Sequence, residues 1–332
     1  MAEAPSIVPA DIRAAADRIR PYVRRTPLEY SSALSQHAGV DVYLKMECWQ
    51  LTGSFKPRIS FNKLLTLTPD ARARGVIAST AGGHGLGLSH AARTLGVTAH
   101  IYLPRNADDG KVMAMRRNGA MLTFFESVEE ARGAALTEAA RSRLIFISAY
   151  NDADIIAGGG TVGLEIVEDL PDVATLVTGI GGGGLISGCA IAIGAERPRL
   201  DVRGVQPENS AVLARWVEAG KPVDVAWEPS IADGLGALIE ADSITFPLVQ
   251  RHAGRMELVS EDEIRGAMAW ALEQHQLVLE PSGAAPIAAL LRQSADAGPG
   301  GEHPRPIAGP VAVILTGRNI GRARFEELIR GF

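Results

Sequence analysis

Residues 52–58 read TGSFKPR, and they follow an alternating run at 42–48, VYLKMEC, that suits a pleated, half-buried strand. Lys56 therefore falls just past the end of a strand. Pro57 fixes φ and lacks an N–H, which fits the first turn of a helix, and ISFNKLL continues with Ile59, Phe61, Leu64 and Leu65 as packing residues. An amine at such a helix entrance is lowered in pKa by desolvation and by the positive end of the helix, and a less protonated amine forms a Schiff base with an aldehyde. Taken alone, SFK reads more simply as a solvated lysine that starts a helix, so the rest of the chain decides.

Downstream the chain alternates. GVIAST (75–80), TAHIYLP (98–104), AMLTFF (120–125) and LIFIS (144–148) read as strands, separated by helical GLGLSHAARTLG (85–96), KVMAMRRNG (111–119) and SVEEARGAALTEAARSR (127–143). The pattern repeats with helical TVGLEIVEDL (161–170), strand ATLVTGI (174–180), helical LISGCAIAIGAE (185–196), strand DVRGV (201–205) and a last strand, PVAVILT (310–316). Such alternation predicts an α/β fold of two open, mostly parallel sheets with helices on both faces. Residues 75–148 are expected to form a small domain, and 1–74 with 149–332 a large one. Ahead of the lysine, Pro9 to Val23 reads as an amphipathic helix opened by Asp11, with Ile12, Ala15, Ile19 and Tyr22 on one face, followed by a lead-in loop and a short helix in 24–35. GPGGEHPRPIAGP (298–310) is a loop by composition.

In open α/β sheets ligands bind beyond the carboxyl ends of the strands, at glycine-rich turns into helices. Gly181, Gly182, Gly183 and Gly184 form such a turn ahead of Leu185, exposing N–H groups at a helix N-terminus, which makes a phosphate cradle. No Gly-Lys-Ser/Thr follows and the GxGxxG register is missing, so neither a Walker loop nor a dinucleotide turn fits. TAGGHGLG, from Thr80 through Ala81, Gly82, Gly83 and His84 to Gly87, is a second strand-to-helix turn whose N–H groups suit a carboxylate. His84 by itself reads as a structural histidine, and His90 lies at the wrong helical spacing to share a metal with it.

A net charge of -5 over 332 residues and a pI near 5.9 give no basic footprint for nucleic acid. No apolar run reaches membrane length, and the acids and arginines of the first twenty residues do not match a secretory leader, so a cytoplasmic protein is expected. Cys48 and Cys189 are too few for a disulfide framework and are expected to be reduced, buried and apolar in behaviour.

TGSFKPR, TAGGHGLG, GGGGL, EPSGA (280–284) and LTGRN (315–319), in that order, resemble the pyridoxal-phosphate enzymes of fold type II, and within them the serine/threonine dehydratase and serine racemase group. The resemblance runs from about Arg25 to Asn319. It implies the tryptophan synthase β-like fold, with pyridoxal 5'-phosphate as cofactor on the large domain and Lys56 as its covalent anchor and catalytic base. Phe55, Lys56, Gly83, Gly181 to Gly184, Leu185, Glu280 and Thr316 would contact the cofactor, and Ser54, Thr80, Ala81, Gly82, Gly83 and His84 the substrate. Thr316 matches the residue that faces the pyridine nitrogen; a neutral hydroxyl there favours loss of a β-substituent over transamination. Read without the family, TGRN is a strand-to-turn signal and Glu280 a residue before an N-cap Ser282.

Several positions depart from the family. Gly83 stands where relatives usually carry Asn, Leu86 where Gln is frequent, and Arg318 where Gly is common. Ala81 replaces the serine that serves racemases as the second acid, which shifts the expectation towards elimination. Gln206 and Val212 replace the acids of the racemases' divalent-metal site, so no metal is expected. The expected reaction is dehydration and deamination of a 3-hydroxy amino acid such as threonine or serine to a 2-oxo acid and ammonia. A β-replacement or threonine-synthase-like enzyme, a serine racemase-like enzyme and a non-catalytic cofactor-binding protein are the alternatives. No regulatory extension fits beyond Arg330, so a catabolic role is expected, with a homodimer usual among relatives.

Overall fold

The computed structural model describes residues 7–80, 82–236, 239–295 and 307–332. Ala81 and most of the 298–310 loop lie outside them. The strands in chain order are β1 Leu28–Tyr30, β2 Val42–Lys45, β3 Val76–Ser79, β4 Ala99–Pro104, β5 Met121–Phe125, β6 Ile145–Phe146, β7 Thr175–Gly179, β8 Asp201–Pro207, β9 Arg255–Val259 and β10 Val311–Ile314. They form a six-stranded sheet ordered β1-β2-β10-β7-β8-β9 and a four-stranded sheet ordered β5-β4-β3-β6. All pairings are parallel except β1 with β2 at one edge.

Helices cover both faces of the large sheet, which is why its middle strands read as near-continuous apolar runs. Within β10 the period of two is still visible. Val311 and Val313 pack with Ile264, Met268, Ala285 and Ala289 from the helices Glu261–His275 and Pro281–Ala295. Ala312 and Ile314 face the opposite layer, with Val162, Ile166, Ile186 and Cys189 from the helices Ala153–Asp169 and Gly184–Glu196. A third core backs the small sheet, where Val76, Ala78, Ile101 and Leu103 meet Leu88 and Ala91. Ile59, Phe61 and Leu64 of the helix Lys56–Thr66 belong to that third core. The lysine helix is thus wedged between the two sheets' layers.

Two local outcomes differ from the pattern read in the chain. The expected strand at 42–48 stops at Lys45 and gives way to a 3-10 turn, Glu47–Trp49. Its polar side chains turn inward to a buried ionic cluster built on Arg58. The helix expected at 161–170 starts earlier, at Ala153, so that Gly158, Gly159 and Gly160 lie inside the helix Ala153–Asp169. A Cβ on Gly160 would sit 2.9 Å from the Gly188 carbonyl oxygen, and one on Gly163 2.6 Å from Cys189 Cα. The helices Ala153–Asp169 and Gly184–Glu196 therefore pack backbone against backbone, which outweighs the helix cost of glycine and fixes where the Gly181–Gly184 turn emerges. Among the described residues no helix is long and apolar enough to cross a membrane.

Candidate active site

Lys56 is the first residue of its helix, with Pro57 next. Phe55 N–H donates to the Thr316 carbonyl (3.2 Å), Arg318 N–H donates to Gly53 O (2.9 Å), and Ser54 bridges Gly317. These contacts stitch the turn before the lysine to the turn after β10. Lys56 Nζ lies 4.6 Å from the Phe55 ring centroid, and its Cβ would be 2.6 Å from a Cβ placed on Gly87. Burial pushes the amine down to about 8, against the pull of Glu280 and Asp233.

Thr316 is buried, and its hydroxyl donates to Ser282 O at 3.3 Å. Ser282 Oγ in turn accepts from Gly234 N–H at 3.1 Å. Glu280 N–H donates to Gly317 O (3.2 Å), and the Glu280 carboxylate lies so close that any Cβ on Gly317 would overlap it. Burial pushes this carboxyl up to about 7, opposed by the Lys111 ammonium and reinforced by Asp233.

Gly181 to Gly184 join β7 to the helix Gly184–Glu196. Gly183, with φ +83°, adopts the left-handed conformation that glycine reaches without strain. A Cβ on Gly181 would meet Gly234 O at 2.5 Å, and one on Gly182 would overlap the Tyr150 ring. The turn is thus bare backbone held between neighbours, and the first N–H groups of the helix behind it have no carbonyl a turn earlier to donate to. Leu185 is buried behind it.

At the other glycine turn, Gly82 N–H donates to Thr80 Oγ1 (2.9 Å) and the helix Gly83–Leu95 follows. Gly82 has φ +148°. His84 is buried, and Nε2 lies 3.3 Å from Ile147 O, so that nitrogen carries the proton. Burial and the nearby Lys56 push His84 down to about 3, so the ring is neutral. Around Gly83 a Cβ would find open space among the described residues, whereas Leu86 is buried in the small-sheet core.

Each of three turns leaves a buried polar atom with no partner among the described residues: Ser54 Oγ beside the lysine, His84 Nδ1 in the second glycine turn, and Ser187 Oγ in the first turn of the helix behind the first. Buried groups in that state are costly unless a ligand completes them. With a desolvated amine and a backbone cradle in the same cleft, they fit an aldehyde-bearing, phosphorylated ring.

Lys111, Asp233, Tyr150, Gly234 and Ser282 join the site without having been singled out as ligands in the sequence. The segment around Asp233, SIADG, carries neither helical nor strand periodicity, so nothing local marks it. Cys48 and Cys189 are free and buried, their thiols pushed up to about 12 chiefly by burial, and so are inert. Gln206 Oε1 accepts from Ala214 N–H at 2.8 Å. No group of three or more candidate metal ligands occurs among the described residues.

The two sheets, the lysine at a helix entrance and the glycine cradle define a pyridoxal-phosphate enzyme of fold type II. Residues 19–317 match the family described as pyridoxal-phosphate dependent enzyme, and the chain belongs to that family. It is 39% identical over 320 residues to an L-threonine ammonia-lyase of Thermotoga maritima, covering 96% of this chain and 77% of the relative. It is 36% identical over 324 residues to the Escherichia coli L-threonine dehydratase catabolic TdcB, covering 97% and 95%. The structure of maize serine racemase superposes with a TM-score of 0.89 at 30% identity, covering 98% of this chain and 97% of that one.

Proposed function

We propose that this enzyme eliminates water and then ammonia from a 3-hydroxy amino acid such as threonine or serine, giving a 2-oxo acid. The observation that carries the reading is the Lys56 amine, held down to about 8 at a helix entrance and tied through Phe55 to Thr316. Pyridoxal phosphate, when bound, supplies the electron sink for charge at the substrate α-carbon. Lys56 would hold its aldehyde, and its neutral amine would take the substrate α-proton. Gly181, Gly182, Gly183, Gly184 and Leu185 offer N–H groups to the phosphate. Phe55, Gly83 and Glu280 would line the ring, and Thr316 would offer an uncharged hydroxyl to its nitrogen. Ser54, Thr80, Ala81, Gly82, Gly83 and His84 orient the substrate, the neutral His84 adding no charge.

Ala81 offers no acid for the far face of the α-carbon, which favours elimination over racemisation. The relatives named as threonine ammonia-lyase and catabolic threonine dehydratase support the same side, and the serine racemases keep racemisation as the second reading. In this reading residues 75–148 are the small domain, 1–74 with 149–332 the large one, and the enzyme is a cytoplasmic, catabolic homodimer.

The test is release of ammonia and 2-oxo acid from L-threonine, L-serine and bulkier 3-hydroxy amino acids. Stoichiometric appearance of both is expected. Accumulation of the D-enantiomer without ammonia, or product formed only when a thiol is added, would replace elimination by racemisation or β-replacement. Capture of added pyridoxal phosphate by cofactor-free protein has a predictable pH dependence, because only the neutral amine attacks the aldehyde. Its rate should climb about tenfold per pH unit below the Lys56 value and level off above it, at about pH 8. A flat profile between pH 6 and 9, followed by the growth of visible absorbance, would place the reacting amine elsewhere.

A further inference from the structure

Lys111, on the helix Asp109–Arg117 in the small sheet's layer, keeps only 7% of its side chain exposed. Both of its ionic partners come from across the cleft. Nζ donates to Asp233 Oδ2 at 3.2 Å and lies 3.5 Å from Glu280 Oε2. Its own backbone is fixed too, since Lys111 N–H donates to the N-cap Asp108 Oδ1 at 2.9 Å. The aliphatic stem runs against Gly82, where a Cβ would sit 2.7 Å from Lys111 Cδ. Gly82 is the N-cap of the helix Gly83–Leu95, in the strained backbone region that only glycine occupies freely.

One side chain therefore touches the turn at Gly82 with its stem and two acids of the opposite layer with its tip. A buried ammonium is tolerated only when paired, and partners drawn from two layers fix the distance between them. Without it, Asp233 and Glu280 would face each other with no cation between them, and the turn would lose the stem it rests on.

We propose that Lys111 is a positioning residue that locks the turn at 82–84 into the shape that takes the amino-acid carboxylate, by tying that turn to Asp233 and Glu280. The inference rests on the reading of this turn as the carboxylate site, but not on which amino acid is the substrate.

The experiment compares cofactor-loaded wild type with Lys111→Met, Lys111→Arg and Asp233→Asn. In Lys111→Met the backbone amides of residues 82–86 should exchange hydrogen at least about tenfold faster than in wild type, with residues 181–187 and the visible absorption of the cofactor unchanged. For whichever amino acid the wild type turns over, KM should rise by at least about tenfold and kcat stay within about threefold, the mark of lost binding rather than lost chemistry. Asp233→Asn should move KM the same way, and Lys111→Arg should recover most of it. Unchanged exchange at 82–86, a KM within about twofold of wild type, or loosening of 181–187 together with loss of the cofactor each overturns the proposal. A wild type that turns over no amino acid refutes the proposed reaction alone, and the exchange comparison still decides the role of Lys111.

Discussion

Lys56→Ala should lower the rate of ammonia release by at least about a thousandfold while the protein still folds. Two contributions are lost together. A positioned proton acceptor is worth roughly 10²–10⁴ in rate, and covalent anchoring of the cofactor's aldehyde goes with it. The fold should survive because Lys56 keeps part of its surface open to the cleft and fills no core. Cofactor-loaded wild type should show a visible absorption band that the variant lacks, with far-ultraviolet circular dichroism unchanged. A variant that keeps both the band and more than about a tenth of the rate would show that another amine does this work.

Arg58→Met should destabilise the protein by about 3–5 kcal/mol, the cost of removing one partner from a buried ion cluster. Arg58 is 1% exposed and is gripped on two sides. Its Nε and Nη2 donate to Glu47 (2.9 and 2.8 Å), and its Nη1 and Nη2 donate to Glu165 (2.7 and 2.8 Å). Lys45 Nζ donates to Glu165 Oε2 and to Thr26 O, each at 2.7 Å. The four side chains carry two charges of each sign, so deleting Arg58 strands a net negative charge in a largely buried site. Because Arg58 lies two residues beyond Lys56, its loss should also loosen the cofactor. A urea unfolding curve at pH 7, with cofactor bound, reads the loss as a lower midpoint; a shift equivalent to less than about 1 kcal/mol would mean the cluster relaxes freely.

The same cluster gives a direction with pH. Burial alone would push Glu165 up, but its bonds to Arg58 and Lys45 hold it below the usual carboxylate range. A carboxyl lowered on folding contributes stability in full above its unfolded value of 4.5, and that contribution fades as pH falls through the lower folded value.

Most strands were legible because period and punctuation were local, as in VIAS, AHIYLP and TLVTG, whereas the two edge strands of the large sheet, β1 and β9, went unread. Lys56 and the turn Gly181–Gly184 were legible for the same reason, since a proline at a helix start and four residues without side chains state their geometry in place. Arg58 carried no such signal, because a charged residue one turn into a helix reads as solvent-facing until Glu47 and Glu165 are brought to it from distant parts of the chain. Lys111 and Asp233 were silent on the same ground. Gly158 to Gly160 went unread, because the advantage of close helix packing belongs to Gly188 and Cys189 as much as to the glycines themselves. Helices such as Val212–Ala219 and Thr245–His252 went unread because they are short and flank a long stretch whose described residues form no regular element.

The setting of Gly83 has an evolutionary side. Its backbone is ordinary helix and no described neighbour crowds it, so a side chain gained there by a single codon change would reach towards cofactor and substrate rather than into the fold. Diversification of this scaffold towards larger or differently charged amino acids has a door already ajar at that position, while the glycines beside it, pressed on every side, are closed to the same experiment.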